Sequence, residues 1–218
     1  MRFTASFYLH SRVGHTVDEG KKLAAAFIAV LAGMVFLFSV PAAYFSEATI
    51  LSTSSMIVAS YSLGLRPKRP SANQLFVGVI SGAALYGVFF AGNAGINALH
   101  PFGLSSSNES SIYSLIAGSG TPYLSAVVLL FDSVGYETFF RGTLQARITG
   151  RLGPLSAPAV AALDASIHVV TGNPLWVATT FVADLAWGMT YYFSRSLAAP
   201  FTSHFLWDLT IFIFLPVR

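Results

Sequence analysis

Eight ionisable residues sit in otherwise apolar stretches: Asp132, Glu137, Arg141, Asp164, His168, Asp184, His204 and Asp208. Glu137/Arg141, Asp164/His168 and His204/Asp208 are each spaced i, i+4, so on helices each pair shares a face. Asp132/Tyr136 is a fourth such pair, on a face turned roughly 100–140° from that of Glu137/Arg141. A carboxylate and two imidazoles in a dry pocket suit general acid–base chemistry. In that reading Glu137 takes a proton from water with the help of His168. Arg141 holds Glu137 from one turn away, and His204 with Asp208 stabilises an oxyanion. The reaction would be hydrolysis of a peptide bond at membrane depth.

Each residue also has a plainer reading. Glu137–Arg141 can be a buried ion pair that locks helices, and His204–Asp208 an interhelical clamp. Asp184 has no partner at helical spacing and bonds a neighbouring helix. Trp176, Trp187 and Trp207 read as interface anchors or packing. What favours the joint reading is order: Glu–Arg, then His, then His–Asp, on three separate helices. Zinc is the nearest rival chemistry, because two His and a carboxylate can bind it. The sequence has no His-Glu-x-x-His helix, and the ligands would come from three helices, so the expectation is no metal and no cofactor.

The elements that must position these residues are membrane helices. Hydrophobic residues make up 54% of the 218-residue chain and charged residues 10%, against roughly 25% charged in a soluble domain. That leaves too little charge for a water-facing surface. The expected fold is all-α, a polytopic transmembrane bundle of about seven spans near 23–45, 48–65, 74–98, 121–149, 155–171, 175–193 and 197–216, each approaching the ~20 residues a span needs. Ser52–Ser55 dilute the second, which reads as weak, tilted or re-entrant. The first apolar run, from about Leu23 to Tyr44, exceeds the roughly 7–15 residues of a signal-peptide core and reads as a retained span. The organisation is an N-terminal segment, 1–22, followed by one transmembrane domain, 23–218.

Arg66–Pro70, Gly150–Pro154 and Gly172–Pro174 read as turns, and the Ser-rich stretch Leu104–Ser111 as a polar loop. Asn108-Glu109-Ser110 within it fits a glycosylation triplet. Ala117–Gly120 is a run of small residues. Basic residues at Arg2, Arg12, Lys21, Lys22, the 66–70 turn, Arg147 and Arg151 place the N-terminus in the cytoplasm. Short basic flanks of this kind do not suit nucleic-acid binding. Cysteine is absent, which excludes disulfides, thiolate metal sites and a Cys nucleophile. Glu137, His168 and His204 lie roughly 18, 20 and 14 Å from the cytoplasmic ends of their helices at 1.5 Å per residue, a similar depth.

At these residues the sequence resembles the CPBP family, also called Abi or CAAX-protease-like, of glutamic-type intramembrane endopeptidases. The family pattern is Glu-Glu-x-x-x-Arg, then Phe-x-x-x-His, then His-x-x-x-Asn/Asp. Here these read Tyr136-Glu137-Thr138-Phe139-Phe140-Arg141, Asp164-Ala165-Ser166-Ile167-His168 and His204-Phe205-Leu206-Trp207-Asp208. The match covers about 121–212. It implies a helical membrane bundle and metal-independent proteolysis. In that family a Glu and the middle His activate water, and the last motif polarises the scissile carbonyl. The implied substrate is a peptide or protein met at the lipid, with or without a lipid modification.

Two departures stand out. Tyr136 replaces the first Glu, to which the family assigns water activation, and Asp164 replaces the Phe of the second motif. Glu137 is the first candidate for the base, supported by Asp164 beside His168. Asp132, one turn before Tyr136, is the second candidate for the missing carboxylate. Three functions stay open: a protease, a non-catalytic binding or immunity protein on the same scaffold, and a proton-coupled transporter. The last lacks visible inverted repeats. The sequence leaves the substrate and the oligomeric state open.

Overall fold

A computed structural model describes residues 17–99, 106–117 and 121–217. Arg2, Arg12 and the rest of 1–16 lie outside the described residues, as do Leu104 and Ser105 of the Ser-rich stretch and Gly118–Gly120. The helices are α1 (Val17–Ser39), α2 (Phe45–Ser62), α3 (Ala72–Leu99), α4 (Ser106–Ala117), α5 (Pro122–Tyr136), α6 (Ala146–Leu152), α7 (Ser156–Ile167), α8 (Pro174–Ser194) and α9 (Ala198–Leu209). Wider π turns join α5 to α6 over Glu137–Gln145 and extend α9 over Thr210–Phe214. The all-α expectation holds, and all seven expected segments are helical. Among the described residues, three stretches are long and apolar enough to cross a membrane: Gly20–Ser39, Ala72–Leu99 and the 50-residue Pro122–Thr171.

Sequence punctuation sets the helix ends. Pro41 stops α1, and a short 3₁₀ turn, Ala42–Tyr44, leads into α2. Asn173 caps α8, its side chain accepting from the backbone N–H of Leu175 and Trp176 at 3.0 and 3.3 Å, with Pro174 at the first helical position.

The segment expected to be weak, α2, is not among the three stretches long and apolar enough to cross; it packs between α1 and α5 with Thr49, Ser52, Thr53, Met56 and Ser60 buried on one face and Leu51, Val58 and Tyr61 exposed on the other. The Thr49, Thr53 and Ser60 hydroxyls each donate to the carbonyl four residues back at 2.8 Å, so they are satisfied without water. One expectation needs correction: the Ser-rich stretch is not a loop from Ser106 onward but the start of α4, and Asn108 lies inside that helix. Its serines donate to carbonyls three residues back, and Asn173 fastens it to α8 through the Asn108 carbonyl at 2.7 Å and the Ser111 hydroxyl at 2.9 Å. A polar helix docked by hydrogen bonds has the composition of a loop.

Small residues bring the helices together. A Cβ on Gly78 would meet the Ala199 carbonyl at 2.5 Å, and one on Gly82 the Ser203 carbonyl at 3.0 Å, so a Gly-x-x-x-Gly face of α3 lies directly on α9. Gly135 of α5 lies equally close to Thr53 of α2. Two apolar cores result. One gathers Met34, Met56, Tyr136, Phe139 and Phe140, and the other Leu85, Trp187, Trp207 and Ile211. Tyr136 of the first core and Trp187 and Trp207 of the second border one cavity.

Candidate active site

The cavity measures about 130 Å³ and is lined by Asp132 and Tyr136 from α5, by Asp164 and His168 from α7 and the turn after it, by Asp184 and Trp187 from α8, and by His204, Trp207 and Asp208 from α9. Phe38 of α1 and Trp176 of α8 pack on the His168 ring, with centroids 4.8 and 5.9 Å away. Four carboxylates and two imidazoles therefore line one small space.

The three i, i+4 pairs are neighbours in space. Glu137 Oε2 lies 3.5 Å from Arg141 Nε, Asp164 Oδ1 lies 3.8 Å from His168 Nδ1, and Asp208 Oδ2 lies 3.5 Å from His204 Nε2. The π turn begins at Glu137, and such wide turns recur at functional sites. It follows directly on the α5 face that carries Asp132 and Tyr136. Those two side chains line the cavity, whereas Glu137 does not. Glu137 is buried behind His204 and accepts a hydrogen bond from its Nδ1 at 2.9 Å.

Arg141 also turns away from the cavity centre. Its guanidinium forks onto Asp184, with Nη2 to Oδ1 at 2.5 Å and Nη1 to Oδ2 at 3.3 Å, and Nη2 reaches the Asp184 carbonyl at 3.3 Å. Two parallel charge-assisted bonds fix the planar group. Asp184 thus bonds a neighbouring helix as expected, but its partner, 43 residues away, was not foreseen.

The imidazoles are oriented through their other nitrogen. His168 Nδ1 donates to the Asp164 carbonyl at 3.0 Å, so its Nε2 is the acceptor. His204 Nδ1 donates to Glu137 Oε1 at 2.9 Å. Its Nε2 faces Asp208 Oδ2 at 3.5 Å and Asp132 Oδ2 at 3.8 Å. Trp187 stacks on the His204 ring at 3.6 Å and 15° and holds its plane. Ser133 donates to Asp208 Oδ2 at 3.2 Å. Sequence reading misses Ser133, and it takes Trp187 and Trp207 for interface anchors or packing. The one available signal was that Asp184 and Trp187 stand three apart on α8.

Several buried polar atoms have no hydrogen-bond partner: both carboxylate oxygens of Asp164, the indole nitrogens of Trp187 and Trp207, and Glu137 Oε2. Asp132, His204 and Asp208 offer ligand atoms within 4.8 Å of one another, which makes them the group able to hold a metal ion among the described residues.

A helical bundle apolar enough for lipid, with acids and imidazoles gathered inside, defines a membrane protein with a buried polar site. Residues 118–210 match the family model described as type II CAAX prenyl endopeptidase Rce1-like, which bears out the CPBP resemblance; all three motifs fall within that stretch. Over that stretch the chain is similar to CAAX proteases. Searches of curated proteins and of solved structures found no match.

Proposed function

We propose that the chain is an intramembrane endopeptidase, with its N-terminus in the cytoplasm, that hydrolyses a peptide bond in this cavity. The observation that carries the reading is a cavity lined by both Asp132 and His168 within the family-matched segment. Asp132 supplies the carboxylate that Tyr136 removes from the motif. Asp132 and His168 hold a water, and the free Nε2 of His168 takes its proton as the oxygen attacks the scissile carbonyl carbon. The unpartnered indole N–H groups of Trp187 and Trp207 are donors available to the oxyanion. When the oxyanion collapses, the C–N bond breaks and His168 returns the proton to the leaving amine. Glu137 acts through His204, as a positioning residue.

The family supplies the probe. The full chain in proteoliposomes should cleave an internally quenched, prenylated C-terminal peptide, and Asp132→Asn and His168→Ala should each abolish cleavage.

One observation favours a second reading, a non-catalytic binding protein. Glu137 is not among the residues that line the cavity, and Tyr136 occupies its wall, edge-on to His204 at 6.3 Å. Peptide binding by the wild type without any cleavage would establish that reading in place of the first.

A further inference from the structure

We propose that α4 is a lid over the candidate active site, latched by Asn173, whose release joins two cavities into one substrate chamber. The need for such an opening rests on the proposed peptide hydrolysis. The cavity lined by Asp132 and His168 measures about 130 Å³, whereas ligand sites measure roughly 300–1,000 Å³. A peptide segment does not fit until a wall moves. A second, largely apolar cavity of about 230 Å³ lies between α3, α4, α8 and the end of α9. Ile112, Thr179, Trp207 and Phe212 line both. Taken together, the two reach the size of a ligand site.

The wall free to move is α4. The helices around it meet through close backbone approaches: α3 on α9 at Gly78 and Gly82, α5 on α2 at Gly135, and α8 on α7 at Gly188, where an added Cβ would lie 3.0 Å from the Ala157 side chain. No glycine occurs between Ser106 and Ala117. Side chains seat α4 instead, at separate points. Leu115 packs on the cluster of Leu37, Phe45 and Ala48. The Tyr113 hydroxyl donates to the Val217 carbonyl and accepts from the Val217 N–H, each at 3.0 Å. Asn173 donates to the Asn108 carbonyl at 2.7 Å and to the Ser111 hydroxyl at 2.9 Å. An element held this way opens locally at less cost than a packed core.

Asn173 also ties closure to the chemistry. Its side-chain oxygen caps α8 by accepting from Leu175 and Trp176, and Trp176 packs on the His168 ring. One amide therefore holds the lid with its nitrogen and the helix that backs His168 with its oxygen. Release of α4 breaks the nitrogen's bonds and leaves the cap in place.

The chain has no cysteine, so single introduced cysteines report opening whether or not any peptide is cleaved. Ala183→Cys puts a thiol in the first cavity, at a position 3% exposed. Val160→Cys puts one in the core, 2% exposed and lining neither cavity. The full chain in proteoliposomes is labelled with N-ethylmaleimide, and both thiols should react slowly. Adding Asn173→Asp/Ser111→Ala keeps an acceptor for the α8 cap and removes both bonds to α4. It should speed labelling at Ala183→Cys about 5–100-fold, the range for two lost hydrogen bonds, and leave Val160→Cys protected. Tyr113→Phe, which loses the bonds to Val217, should speed the same thiol and replaces the double variant if that one does not fold. Fast labelling of Ala183→Cys without either change overturns the closed lid. So does an unchanged rate in the folded variants, or equal acceleration at Val160→Cys. Accelerated labelling in a chain that cleaves nothing supports the lid and overturns only the hydrolysis.

Discussion

His204 Nδ1 hydrogen-bonds to Glu137 Oε1 at 2.9 Å, and this bond takes Glu137 out of the cavity and into the support of an imidazole. The motif glutamate thus sits where it can aim His204, while Asp132, one turn before Tyr136, takes the position on the cavity wall. Substitution separates the two roles. Glu137→Gln keeps an acceptor for Nδ1–H and should lower peptide cleavage only about tenfold, whereas Asp132→Asn should lower it by about 10²–10⁴, the range of a lost acid–base group. Steady-state cleavage in proteoliposomes reads both. The reverse order would return the base to Glu137.

His168→Ala should cost a similar factor of about 10²–10⁴, because its Nδ1 is anchored on the Asp164 carbonyl and only Nε2 is free for chemistry. His168→Gln keeps bulk against Phe38 and Trp176 but is not basic, so it should be as inactive as the alanine variant. Cleavage retained by His168→Gln would reduce the residue to packing.

Tyr136→Glu restores the family's paired glutamates. If Asp132 already supplies the carboxylate, another acid in this cavity adds like charge, lowers stability and brings no gain in cleavage. Thermal unfolding and the cleavage assay are read together. A wild type that is inert and a Tyr136→Glu variant that cleaves would mean the site has lost its base, and the binding-protein reading would follow.

The sequence showed these residues as a pattern but not as an arrangement. Helical spacing suffices to pair Glu137 with Arg141, Asp164 with His168 and His204 with Asp208, because i, i+4 geometry is local. The fork of Arg141 on Asp184 and the stacking of Trp187 on His204 cross between helices far apart in sequence, and no spacing rule reaches them. The direction of Glu137 was equally hidden. It depends on the position of His204, which is set by the Gly78/Gly82 face of α3 lying against α9. Composition alone misread α4, because hydroxyls that bond their own helix resemble a loop in the sequence.

Arg141 is 1% exposed and is the counter-charge of both Asp184 and Glu137. Arg141→Met should therefore destabilise the chain by about 3–5 kcal/mol, since it leaves a buried carboxylate unpaired. The double variant Arg141→Met/Asp184→Leu removes both charges of the fork and should recover part of that loss. Thermal unfolding in detergent of the two singles and the double closes the cycle. A double variant no more stable than Arg141→Met would assign the loss to packing rather than to charge.

Two glycines of α3 provide an opposed pair. A Cβ at Gly78 would lie 2.5 Å from the Ala199 carbonyl and 2.7 Å from Thr202 Cβ, and backbone cannot yield as a flexible side chain does. Gly78→Ala should cost about 1–3 kcal/mol through forced separation of α3 from α9. At Gly87, nine residues further along the same helix, a Cβ meets nothing within 4 Å, so Gly87→Ala should gain about 0.4–1 kcal/mol from reduced freedom of the unfolded chain. Because α9 carries His204 and Asp208, Gly78→Ala should also depress cleavage, whereas Gly87→Ala should leave it unchanged. Equal stability of the two variants would show that the close approach of α3 to α9 does not set the position of the site.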